Sequence, residues 1–198
     1  MSLKIISGLA RGIMLDTPDD RAMRPTSGRS REALFSSLGP LNGMRFADIF
    51  AGSGAIGLEA ASRGAGEVVL LEGNPRHVKF IERNIAKLRR AGVEVPIELI
   101  GRKAIAGALL NIGSCDIWFF DPPYAESAGY LLELLQNDAV LDLWCNSLVI
   151  WEMPDTVEDR ALFQRVFELN DRLESRVKHL GSSDFLFCRV AGSVNDEH

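Results

Sequence analysis

The sequence is short of the residues that build metal centres and disulfide frameworks, with three cysteines and three histidines in 198 residues. Cys115, Cys145 and Cys188 are far apart, odd in number and lack CxxC spacing. His77, His179 and His198 are equally scattered, so neither a disulfide scaffold nor a bound metal is expected. Long apolar runs are missing too. None approaches the roughly 18 residues that a membrane span requires, and the stretch from Met1 to Gly8 has no signal-peptide apolar region, which makes cytoplasm the expected compartment. Positive charge is also in deficit: 22 Lys and Arg face 27 Asp and Glu, a net charge of −5. That balance argues against a generic polyanion binder, which would usually be basic.

The deficit is uneven. Residues 1–31 hold six basic side chains (Lys4, Arg11, Arg21, Arg24, Arg29, Arg31) against three Asp, a net of +3, and the other 167 residues carry −8. A positive arm on an acidic body suits a protein that meets phosphate on one side only. With 46% hydrophobic residues, the chain is long enough for one large core and too short for two comfortable ones. Nothing in it demands a dimer, and a monomer is expected.

From Arg45 onward, short apolar runs alternate with amphipathic stretches, the pattern of βα units that build a parallel sheet covered on both faces. Strands are expected near Arg45–Phe50, Glu67–Glu72, Val95–Ile100, Cys115–Phe120 and Ser147–Glu152. The clearest helix follows the second of these. Asn74 fits its N-cap and Pro75 its first position, while Val78, Ile81, Ile85 and Leu88 form one stripe before Gly92 stops it. Its opposite face (Arg76, Lys79, Arg83, Arg90) reads as solvated. Ahead of the sheet, Lys4–Ser7 and Ile13–Leu15 are expected to pair as a small hairpin, and Ser27 to Leu38 to form a capped helix ended by Gly39. At the other end, Leu173–Leu180 and Asp184–Val190 read as a closing hairpin joined at Gly181-Ser182-Ser183. The tail 194–198 reads as disordered.

Two segments carry chemistry. The first expected strand runs into Ala51-Gly52-Ser53-Gly54-Ala55-Ile56-Gly57, a GxGxxG in strand–turn–helix context, where glycines let the backbone approach a ligand and a helix N-terminus favours polar groups. Glu72, ending the next strand, is placed to accept hydrogen bonds from ribose hydroxyls. Together they indicate an adenosine-containing cofactor and leave NAD open. Asp48 weighs against NAD, because a carboxylate at the first strand's tip would hold a cationic methionine moiety and repel a pyrophosphate.

The second segment is Asp121-Pro122-Pro123-Tyr124 at the C-terminal end of the fourth expected strand, where open α/β sheets bind ligands. An exocyclic base nitrogen is a poor nucleophile because its lone pair is delocalised into the ring, so it must be gripped and rehybridised to attack a methyl group. Asp121 Oδ and a Pro-Pro carbonyl can both accept from an NH₂. The prolines bring no competing N–H and restrict the backbone, and Tyr124 offers a face on which a flipped base can stack. Methyl transfer from S-adenosylmethionine to an amino nitrogen is therefore expected.

These residues resemble the class I methyltransferases that act on amino nitrogens. Ile5-Ile6-Ser7-Gly8-Leu9-Ala10-Arg11-Gly12, then Arg24-Pro25-Thr26, then Arg29-Ser30-Arg31-Glu32-Ala33-Leu34-Phe35 are similar to the N-terminal signature of the RsmD family, bacterial 16S ribosomal RNA guanine-N2 methyltransferases. The resemblance implies a Rossmann-like α/β fold with a seven-stranded mixed sheet, an antiparallel last strand and a small N-terminal hairpin-plus-helix extension. It implies one domain over 1–198, comprising the extension (1–39), a catalytic core (40–192) and a tail (193–198). The implied substrate is a guanine of the 966 type, in 16S rRNA within the small ribosomal subunit. Carried onto this sequence, the cofactor site is expected to draw on Asp48, Ala51, Gly52, Ser53, Gly54, Glu72, Gly73, Asn74, Arg102 and Lys103. The target base would meet Asp121, Pro122, Pro123 and Tyr124, and Arg11, Arg24, Thr26, Arg29 and Arg31 would face RNA, the arginines alternatively bracing the extension. One departure stands out. Where the family offers Asp or Asn to the adenine this chain reads Gly101-Arg102-Lys103-Ala104, and a lysine cannot accept a hydrogen bond, so backbone amides are the expected adenine contact. An adenine-N6 methyltransferase, a protein-glutamine methyltransferase and a non-catalytic adenosine-binding RNA scaffold remain as alternatives.

Overall fold

The computed structural model describes residues 3–18, 26–123, 127–153 and 172–191. Arg24, Tyr124 and the 193–198 tail lie outside them. Seven strands form one sheet: β3 (Arg45–Ile49), β4 (Glu67–Leu71), β5 (Ile97–Ile100), β6 (Ile117–Phe120), β7 (Leu148–Glu152), β8 (Leu173–Leu180) and β9 (Ser183–Val190). Their spatial order is β5-β4-β3-β6-β7-β9-β8. β9 lies antiparallel between β7 and β8, and the pairs from β5 to β7 are all parallel. The antiparallel last strand of the expected mixed sheet is therefore present. The order reverses between β3 and β6, which opens a crevice at their C-terminal ends.

The central strands are apolar on both faces because helices cover both. On one face Trp118, Phe120, Trp144 and Trp151 share a core cluster, in which Phe120 and Trp151 stack with ring centroids 4.7 Å apart. On the other, Phe46, Phe119, Ile150, Phe185 and Phe187 pack with residues of α1 (Gly28–Leu38) and α2 (Ala55–Ser62). α3 (Pro75–Arg90) is capped by the Asn74 side chain, which accepts from the Arg76 amide, as its N-terminal sequence predicts. Ser27 caps α1 in the same way and Gly39 ends it at φ 77°.

Some boundaries differ from the expectation. β5 starts at Ile97 and not at Val95, since Pro96 has no N–H to give a ladder. The three short helices α4 (Ala106–Ile112), α5 (Ser127–Leu135) and α6 (Asp138–Leu143) went unread, being too short for a sustained 3.6-residue stripe. The closing hairpin turns on two residues, Gly181 and Ser182, instead of three. Gly181 sits at φ +71°, and a Cβ there would fall 2.7 Å from Ser30 Cα.

The N-terminal hairpin pairs β1 (Leu3–Lys4) with β2 (Met14–Leu15) and continues through Ile5 N to Ile13 O at 3.0 Å. The expected strand through Ser7 stops early for a specific reason. Ile6 and Ser7 turn their amides to the Glu59 carboxylate of α2, at 2.7 and 2.9 Å. Glu59 is fully buried and also accepts from Arg63 Nε at 2.8 Å. Ser62 adds a second clamp: its hydroxyl donates to Ser7 O and accepts from the Ala10 amide. The extension is thus fastened to the far end of the helix that begins at the glycine loop.

Candidate active site

Strand pleat explains the layout of the site. Side chains alternate between faces along a strand; Ile49, Leu71, Phe120 and Trp151 face the tryptophan cluster, so the residue before Ile49 and those after Leu71, Phe120 and Trp151 face the α1–α2 side. At the strand tips Asp48, Glu72 and Glu152 occupy such positions and all are buried. Asp121 follows Phe120 and its amide reaches Ile49 O at 3.4 Å. Phe120 is paired with both Ile49 and Trp151, so Asp121 and Glu152 stand level on neighbouring strands.

The glycine loop is held from three sides. Phe50 enters it at φ +65°, a strained conformation for a bulky residue, and Gly52 and Gly54 follow at φ +58° and +78°; strain of this kind persists where surrounding structure imposes it. Glu72 accepts from the Gly52 amide through Oε2 and from the Asn74 amide through Oε1, both at 2.7 Å. Asp48 Oδ2 accepts from the Gly57 amide at 2.8 Å. Asn84 of α3, fully buried, donates to Ser53 O and to Asp16 O at 2.9 Å each and accepts from the Asp16 amide at 2.7 Å. Gly57 permits the tight seat of α2, for a Cβ there would fall 2.3 Å from Leu70 Cδ2. Beside the Glu72 tip, Lys103 Cα lies 3.3 Å from where a Gly73 Cβ would stand, so the Gly101–Ala104 turn abuts Gly73, while the Arg102 and Lys103 side chains are exposed.

Concentrating carboxylates in one place raises their proton affinity. Asp48 is pushed up to about 7, by burial first and by the Glu72 charge, with the Gly57 amide opposing. Asp121 is raised well above the usual carboxylate range by loss of water, then by the charges of Glu152 and Asp48, with a hydrogen bond from Thr26 opposing. A donor set of this kind fits a ligand with a positive centre and disfavours a pyrophosphate. Oε2 of Glu72 also retains a second lone pair beyond its backbone donor, which suits a ribose hydroxyl, while Oε1 also faces His77 Nδ1 at 3.5 Å. The residues present therefore fit S-adenosylmethionine, with its sulfonium, better than NAD.

Two of the residues expected to face RNA, one of them with bracing of the extension as its alternative, are buried. Thr26 is buried, and its hydroxyl donates to Glu152 Oε2 at 2.6 Å beside Asp121. Arg31 is only 2% exposed and its Nη2 donates to Lys4 O at 3.1 Å; it braces the hairpin. Burial lowers its pKa, against the raising influence of Glu59. Arg11 and Arg29 are exposed. The sequence reading missed Glu152, Glu59 and Asn84. A signal existed for Glu152: like Glu72, it is an acid that ends an apolar strand.

A parallel sheet with one antiparallel strand, a glycine loop after its first strand and Asp-Pro-Pro after its fourth define a class I methyltransferase, the class whose methyl donor is S-adenosylmethionine. The family model described as "Conserved hypothetical protein 95" matches residues 3–179, and the chain belongs to this family, the RsmD methyltransferases. The chain is 36% identical over 123 residues to "Ribosomal RNA small subunit methyltransferase D" of Escherichia coli K12, covering 62% of this chain and 60% of that protein. It is 34% identical to the protein of the same name from Haemophilus influenzae, covering 66% and 70%. Among solved structures, "Putative methyltransferase yhhF" from Escherichia coli superposes with a TM-score of 0.72 at 29% identity, covering 97% of this chain and all of that one.

Proposed function

We propose that this protein transfers the methyl group of S-adenosylmethionine to the exocyclic N2 of a guanine in 16S rRNA, of the 966 type, presented within the small ribosomal subunit. One observation carries the chemistry: Asp121-Pro122-Pro123 and the Gly52–Gly54 loop emerge side by side at the switch point between β3 and β6. A base held by one lies against a donor held by the other. Gly52, Ser53 and Gly54 line the methionine part, Glu72 the ribose, and the backbone near Gly73 and Lys103 the adenine. Asp121 and the Pro122 carbonyl grip the amino group. The bound cofactor supplies an activated methyl, and the chain's own contribution is alignment, which can be worth roughly 7–11 kcal/mol of barrier. The ribosomal substrate rests on the names of the relatives and on the basic N-terminal arm.

The test is to incubate the protein with methyl-labelled cofactor and, separately, unmodified small subunits, naked 16S rRNA, DNA or release factors, and to identify the labelled product. N2-methylguanosine from small subunits is expected. Label in N6-methyladenine or in glutamine would overturn the reading in favour of another amino-nitrogen substrate, and absence of label with cofactor bound would favour a scaffold.

A further inference from the structure

We infer that the groove between the end of α1 and the outer strand β8 carries the phosphate backbone of the substrate RNA, through Arg176, Lys178 and Arg189. The inference rests on the RNA substrate proposed above, and it places a contact to that RNA outside the basic N-terminal arm.

Side chains alternate along β8, and its pairing with β9 fixes which way each one points. Arg176 pairs with Phe187 and Glu174 with Arg189, while Phe187 belongs to the core on the α1–α2 side. Glu174, Arg176, Lys178 and Arg189 therefore share that face. With Ser37 and Leu38 from the last turn of α1 they line a groove of about 420 Å³. Three cations meet one carboxylate there, on a body whose residues 32–198 carry a net −8.

The cations are available. Lys178 is held in place, its Nζ donating to Ser37 Oγ at 2.6 Å and lying 4.5 Å from the centre of the Phe187 ring. Arg176 and Arg189 are exposed, and neither guanidinium makes an ion pair or hydrogen bond among the described residues, although Glu174 stands opposite Arg189 in the ladder. Each thus keeps its full set of N–H donors in the fork that matches phosphate oxygens. Side chains on one face recur about 6.6 Å apart along a strand, close to the separation of successive phosphates in a nucleic-acid chain.

The row also begins beside the reaction loop. Lys178 pairs with Phe185, and Phe185 with Glu152, so Lys178 is level with the tip of β7, two ladder steps or about 10 Å away. Arg176 and Arg189 continue the row away from the site. A strand whose base enters at Asp121–Pro123 meets this row with its neighbouring phosphates. With Thr26 and Arg31 buried, the arm offers fewer phosphate contacts than its composition suggests, and the groove supplies others.

The test compares Arg176→Gln/Arg189→Gln with Lys79→Gln/Arg90→Gln, which removes the same charge from exposed positions on α3. Binding to small subunits and to protein-free 16S rRNA is measured across a series of salt concentrations. The groove variant is expected to bind both at least about tenfold more weakly, with the slope of log K against log salt reduced by about two. Its KM for subunits is expected to rise while kcat and cofactor affinity hold. Wild-type affinity for both RNAs, or equal weakening by the α3 pair, would overturn the inference. Weaker binding to subunits alone, with protein-free RNA bound as before, would overturn it in favour of a ribosomal protein as the partner. The binding measurements need no methyl transfer, so they stand apart from the proposed reaction, which is judged by the nucleoside that carries the label.

Discussion

Replacing Asp48 by Asn should make the protein's stability less sensitive to pH, over a window that the structure specifies. Asp48 has its folded-state pKa raised to about 7, against roughly 3.9 for an unfolded aspartate. The folded state therefore binds the extra proton between those values. The stability this group contributes is fully present below about pH 4 and is lost as pH rises through 7. Three units at 1.36 kcal/mol each set the loss at about 4 kcal/mol at most. The variant keeps an oxygen to accept from the Gly57 amide but has no charge to bury. Its absolute stability can move either way, because the new NH₂ needs a partner and costs about 1–3 kcal/mol without one. The pH dependence of the difference has only one sign: the variant gains on the wild type between pH 4 and 7 and holds a constant difference on either side. Urea unfolding of both proteins at half-unit intervals from pH 4 to 8.5 reads it directly. A difference that is flat across the window, or that shrinks as pH rises, would refute the assignment of burial as the cause.

Two further outcomes follow from the same geometry. Asp121→Ala should lower turnover by about a hundredfold or more, as loss of one oriented polar contact to a reacting group does, while cofactor affinity by equilibrium dialysis changes less than about threefold; equal loss of both would make Asp121 a cofactor ligand. Glu59→Ala strips the partner from the Ile6 and Ser7 amides and from Arg63, and should cost about 3–5 kcal/mol and open residues 3–18 to proteolysis. Glu82→Ala, on the exposed face of α3, is the control and should do neither.

Much of the fold was legible because its causes are local. The caps of α1 and α3, the apolar stripe of α3, the runs of β3, β4, β6 and β7 and the closing hairpin all follow from residues within a few positions of one another. So did the glycine loop and Asp121–Pro123, whose chemistry is carried by contiguous motifs. Boundaries moved where a distant partner intervened. The N-terminal pairing ends after Ile5 because Glu59, more than fifty residues on, takes the Ile6 and Ser7 amides.

What the sequence by itself determined is the class of chemistry, methyl transfer from S-adenosylmethionine, through contiguous GxGxxG and Asp-Pro-Pro motifs. What only the tertiary structure decided is which side chains share that site. Thr26 and Arg31 sit in a basic stretch that reads as a surface arm, and both are buried, Thr26 against Glu152 at the tip of β7 and Arg31 against Lys4 of the hairpin. Glu152 is 31 residues from Asp121, and sheet register alone makes them neighbours. Pairing between parallel strands is set by crossovers and core packing over long separations, which no local pattern records.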